Sequence, residues 1–175
     1  MKKVLFAIPL ALALTGCGSD IDLVKGGVME FNQTTTLGKA LDNWKSCESR
    51  EWEEFETDNG IKVVQFTCQH KISQYMSKAK SLLSEEEQAK ANHLDIASNI
   101  QTFQFTINQG DTFQIDNVQV KTTWQDGTSF EDSQKPVEQL ETAYANNLNF
   151  DPAELNEMGA AQISYVFSMI KMRAK

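Results

Sequence analysis

The chain has 175 residues, with 16 Lys and Arg against 24 Asp and Glu, a net charge of −8. So acidic a chain lacks the basic face that binding nucleic acid through phosphates requires, and no nucleic-acid partner is expected. With 41% hydrophobic and 23% charged residues, it has the composition of a folded domain, and its length suits one domain with a sizeable core.

The N-terminus opens on Met1-Lys2-Lys3, followed by an apolar run from Val4 to Leu14 broken only by Pro9. That run has the size of a signal-peptide core and is too short to span a bilayer. It ends in Leu14-Thr15-Gly16-Cys17, which resembles the lipobox of bacterial lipoproteins. The resemblance implies cleavage after residue 16, diacylglycerol on the Cys17 sulfur and a mature protein anchored to a membrane without crossing it. Several acyl chains hold far more firmly than one, at roughly 0.8 kcal/mol per buried methylene. Gly18 follows the cysteine and Asp appears only at position 20. For a Gram-negative cell this implies the periplasmic face of the outer membrane. Losing Lys2 and Lys3 with the signal makes the mature chain more acidic still. Residues 17–28, small and mixed in character, read as a short lipidated tether, and residues 29–175 as a single domain.

With Cys17 lipidated, Cys47 and Cys68 remain. In an oxidising compartment they most simply form one disulfide. The rival reading is a Cys/Cys/His metal or redox site using His70 on the strand face of Cys68, but no fourth ligand is signalled. No cofactor is expected.

Thr34-Thr35-Thr36 offers an N-cap, and Leu37, Ala40, Leu41 and Trp44 recur at helical spacing, which predicts a helix reaching Ser46. Residues 50–57 and 61–69 read as two strands around the Asp58-Asn59-Gly60 turn, with Val64, Phe66 and Cys68 on one face; Cys47 follows the end of the helix, so the disulfide is expected to pin that helix to the second strand. The spacing of Ile72, Tyr75, Met76, Ala79 and Leu83 predicts a second helix, and Ser84-Glu85-Glu86-Glu87 a capping box that restarts it. Residues 92–98 are ambiguous. Phe103, Phe105 and Ile107 alternate in a strand that turns at Gln109-Gly110-Asp111. In the next strand the apolar parity slips between Ile115 and Val118, which predicts a bulge near Asp116-Asn117. Asp126-Gly127 is a further turn before a last short strand. Pro136 opens a helix, and Asp151-Pro152-Ala153-Glu154 opens another that runs to about Met172. The fold class expected is α+β: an antiparallel sheet, built of a hairpin and a meander, with helices packed on one side and one disulfide.

Thr34, Gly38, Lys39 and Ala40, then Trp52, Phe55, Gly60, Val64 and Phe66, then Phe105, Ile107, Asn108, Gly110 and Phe113 form a pattern that resembles a group of small uncharacterised bacterial lipoproteins. The resemblance spans about half the chain and implies fold and location; no activity comes with it.

Two segments stand out as candidate partner surfaces. Glu51, Glu53, Glu54 and Glu56 surround Trp52 and Phe55, as a docking surface for a cationic partner or as charges that keep an edge strand from aggregating. The segment from Met158 to Ile170 carries no charge. Met158, Tyr165 and Met169 on it offer a flexible, Met-containing surface, while Leu155, Val166 and Ile170 are expected to be buried on the sheet. No GxSxG elbow or HExxH motif occurs. The expectation is a non-catalytic interaction or assembly module, with an envelope protein as its partner. The alternative is an inhibitor of a cationic periplasmic enzyme such as a lysozyme, steered by charge.

Overall fold

The computed structural model describes residues 19–175. The elements in order are α1 (Asp20–Gly26), β1 (Val28–Met29), β2 (Asn32–Thr36), α2 (Leu37–Asp42), β3 (Cys47–Glu56), β4 (Lys62–His70), α3 (Ser73–Ser81), α4 (Glu85–Lys90), β5 (Ile96–Asn108), β6 (Thr112–Trp124), β7 (Ser129–Gln134), α5 (Pro136–Tyr144) and α6 (Glu157–Lys171). Single 3-10 turns occupy Asn92–Leu94 and Pro152–Glu154. Strands β3 to β7 form one antiparallel sheet in sequence order, and β1 and β2 form a small hairpin. This is the α+β architecture that the alternating and helical patterns predict.

One sheet face is apolar. Val64, Phe66 and Cys68 of β4, Phe103 and Phe105 of β5, and Val118 and Trp124 of β6 are buried on it. They register across the sheet as Trp52–Phe66–Phe103–Val118 and Glu54–Val64–Phe105–Ile115. The expected bulge is present: Phe105 pairs with Ile115 and Gln104 with Asn117, which leaves Asp116 as the extra residue. The helices cover this face as two clusters. Val24, Leu37, Leu41, Trp44, Leu140 and Ala143 pack on Phe66, Phe103 and Phe105. Ile72, Met76, Ala79, Leu83, Ala160 and Phe167 pack near Ile96 and Trp124. The other face is open and polar, with a side-chain ladder running Glu53–Gln65–Gln104–Asn117 across four strands.

Four sequence expectations change. The tether does not extend to residue 28, because Ser19 caps α1 with a full capping box and Val24 is buried in the core. Lys25 of α1 pairs with Asp42 at 2.7 Å. A Cβ at Gly38 would meet the Lys25 Cβ at 2.8 Å and its carbonyl oxygen at 2.9 Å, so glycine there lets α1 and α2 approach closely. Helix α2 stops at Asp42 because Asn43 closes it, its amide donating back to the Lys39 carbonyl at 2.8 Å. Trp44 therefore lies beyond the helix, and the Cys47–Cys68 disulfide joins β3 to β4 rather than a helix to a strand. Finally, the helix expected from Pro152 breaks. Asp151 caps only one 3-10 turn, the backbone extends at Leu155 and Asn156, and Asn156 caps a new helix by accepting from the Gly159 amide at 2.9 Å.

Candidate functional site

Helix α6 has an inward and an outward side. Ala160 and Phe167 are buried, with Ile163 and Ile170 half-buried beside them, at the i, i+3, i+7, i+10 spacing of one helical face. Polar contacts fix the helix in place. His93 Nε2 and the Ser164 hydroxyl are 2.7 Å apart. The Lys171 ammonium lies 2.8 Å from Asp126 and over the Trp124 ring, whose Nε1 donates to the His93 carbonyl at 2.7 Å. Lys171 and Thr128 together hold the Asp126 carboxyl down to about 2. The main chain of Lys175 exchanges both hydrogen bonds with Ser129 at the start of β7.

The outward side is apolar without being covered. Met158 is 82% exposed, Tyr165 68% and Met172 70%, with Val166 at 39% and Met169 at 37% beside them. Met158, Tyr165 and Met172 recur every seven residues, so they form one stripe along the helix. Val166 is a correction to the expected burial: it lies one 100° step from Phe167 and falls on the solvent side. Met158, Tyr165 and Met169 are where the sequence places a partner surface. Truncating Met158 or Tyr165 to Ala is expected to change stability by less than about 0.5 kcal/mol, the usual size for exposed sites. Denaturant melts check this.

The four glutamates are not one cluster. Strand alternation puts Glu51 and Glu53 on the open face and Glu54 and Glu56 on the helical face. Glu53 accepts from the Gln65 amide, and Glu54 accepts from the Ile21 backbone N–H at 3.2 Å. Glu51 and Glu56 are exposed. Trp52, between them, is tied down by its Nε1 donating to Asp42 at 2.7 Å and by Lys25 over its ring. β3 is an edge strand, paired on one side only.

One polar constellation escapes a motif search. Ser46, His70 and Gln101 are buried. His70 Nδ1 lies 2.8 Å from the Ser46 hydroxyl, and Nε2 lies 2.8 Å from Gln101 Oε1. Gln101 in turn donates to Gln139 at 2.9 Å, and the Asn149 N–H donates to Ser46 at 3.2 Å. With the Gln101 amide nitrogen donating to Gln139, its oxygen accepts from His70 Nε2–H, so Nδ1 accepts from Ser46. The network ties β4, β5, α5 and two loops together. With both thiols in the disulfide and both ring nitrogens hydrogen-bonded, the Cys/Cys/His metal reading is replaced. A sequence signal exists: His70 and Gln101 fall in the apolar parity of β4 and β5, where an isolated polar residue needs a buried partner.

Burial holds the His70 imidazole below its ordinary 6.5, against the opposing pull of its hydrogen bonds. His93 is lowered too, by burial first and by Lys171. The unfolded chain thus takes up protons that the folded one refuses. Stability should be flat above about pH 6.5 and fall below it, by up to about 1.4 kcal/mol per pH unit for the buried His70 until its folded pKa is reached, with a smaller, solvent-screened contribution of the same sign from the more exposed His93. His70→Gln is expected to flatten this limb between about pH 5 and 6.5, above the carboxylate range, in melts taken as a function of pH.

Residues 1–17 match the family model of the prokaryotic membrane lipoprotein lipid attachment site. The match ends on Cys17. The chain thus carries a lipoprotein signal peptide and is anchored by lipid at the cell envelope. No curated protein and no solved structure matches the chain. Cys17 itself lies outside the described residues. No described helix is long and apolar enough to cross a membrane.

Proposed function

We propose that this lipoprotein is a non-catalytic interaction module on the periplasmic face of the outer membrane, which meets another envelope protein through the outward stripe of α6. The observation that carries this reading is the stripe itself: Met158, Tyr165, Val166, Met169 and Met172 stay exposed on a helix whose other side packs on the domain through Ala160 and Phe167. Thioether side chains and a tyrosine supply adaptable contact area at an interface. A photo-crosslinking amino acid at Tyr165 in intact cells tests it. A discrete adduct of one envelope protein, lost on Met158→Asp or Met172→Asp, is expected; unmodified protein alone would contradict the reading.

A second reading has its own support. Glu51 and Glu53 share the open face of an edge strand on an acidic chain, which would suit a cationic periplasmic enzyme such as a lysozyme. Such an inhibitor would bind in a strongly salt-dependent way and lose affinity on Glu51→Gln with Glu53→Gln, whereas binding through α6 would respond to neither.

A further inference from the structure

One end of the domain lies next to the lipid attachment residue. Gly18 alone separates Cys17 from Ser19, the N-cap of the docked helix α1. Two Cα–Cα steps span at most about 7.6 Å, so the folded body begins within that reach of the lipidated residue.

Helix α1 lies across one end of the sheet. Asp20 pairs with Lys62 at 3.0 Å at the start of β4, Ile21 bonds to Glu54 near the end of β3, and Gly27 sits so close to the Phe113 ring that a side chain would collide with it. This is the end where the β3–β4 turn (residues 57–61) and the β5–β6 turn (residues 109–111) lie. The α6 cluster packs at the opposite end, on Ile96 and Trp124. β5 carries 13 residues from Ile96 to Asn108, and at about 3.4 Å per residue the two ends are about 40 Å apart.

We propose that the bilayer surface covers the turn end of the sheet, around Asp58, Asn59, Gly60, Gln109 and Gly110, so that the apolar stripe of α6 is held on the membrane-distal side. The proposal rests on Cys17 carrying the lipid and is independent of what α6 binds. The turn end bears Asp20, Asp58 and Asp111 against Lys62, so attraction to anionic lipid does not set this orientation. The short link and the docked α1 do, and the orientation should be insensitive to salt.

The test uses the full lipidated protein in phosphatidylethanolamine–phosphatidylglycerol vesicles that contain a nickel-chelating lipid. A spin label is placed at Asn59, Gln109, Gln125 or Gln162 by chemistry that leaves the cysteines native. Labels at 59 and 109 should show severalfold greater relaxation by nickel than those at 125 and 162, in low and high salt alike. Inserting about 20 Gly/Ser residues between Gly18 and Ser19, with a root-mean-square reach of about 25 Å, should bring the ratio close to one. Vesicle flotation of the uninserted protein reports the anchor separately. Flotation with equal relaxation at the two ends overturns the orientation alone, and a high ratio unchanged by the insertion overturns the short link as its cause. Failure to float overturns the lipid on Cys17 and the orientation with it.

Discussion

Trp44→Ala is expected to lower the unfolding free energy by about 3–5 kcal/mol, a large part of the roughly 5–15 that a domain possesses. The indole is fully buried and meets His70 and Phe103 edge-on, at centroid separations of 5.2 and 6.1 Å. Its Nε1 donates to the Asn147 carbonyl at 2.8 Å, and the Arg50 guanidinium donates to the Trp44 backbone carbonyl. Trp44 thus joins the segment after α2 to the sheet and to the loop after α5. Truncation leaves a cavity at this junction and a carbonyl without its donor. Trp44→Phe keeps most of the packing and loses the hydrogen bond with a smaller part of the ring volume, so it should cost less, about 1–3 kcal/mol. Equilibrium urea melts of the signal-less domain resolve the two, and a Trp44→Ala midpoint equal to wild type would contradict the packing described.

Replacing Cys47 and Cys68 together by Ala is expected to cost about 2–5 kcal/mol. Of this, about 3 kcal/mol is the chain entropy released in the unfolded state when a loop with a separation of 21 residues is opened. Both sulfurs are buried, so the substitutions also remove packed volume beside Trp44 and Val64. The loop contains β3, its turn and β4 as far as Cys68, and β3 is an edge strand with no other cross-link. The loss should therefore appear as faster amide exchange along β3 as well as in the global melt. Reduced and oxidised wild-type protein with equal midpoints would contradict it.

The β-sheet was legible because its face alternates with a period of two: Val64–Phe66–Cys68, Phe103–Phe105 and Val118–Val120 each declare a side, and the slip between Ile115 and Val118 locates the bulge at Asp116. The turns were legible because Gly60, Gly110 and Gly127 take positive φ, which favours glycine. Helix α1 was not legible. It is seven residues long, too short for a periodic signal, and its stability comes from docking Val24 rather than from propensity. The β1–β2 hairpin was missed for the same reason of length. The 3-10 turn at Asn92–Leu94 and the first residues of β5 hide in the ambiguous segment, where Leu94 and Ile96 are buried by helices distant in sequence. On α6 the sequence shows apolar residues on most of the circumference, so which are covered is decided by α3 and Trp124. That is why Val166, apolar and expected inside, lies on the solvent side with Met158, Tyr165 and Met169.

The lipid on Cys17 fixes where the protein works, and it is measured most directly by the mass of the N-terminal peptide of the protein purified from membranes. The predicted result is a mature chain that begins at Cys17 and carries diacylglycerol on its sulfur, with Cys17→Ala accumulating as uncleaved or soluble protein. A membrane-bound mature chain that begins elsewhere, or one with an unmodified Cys17, would contradict it.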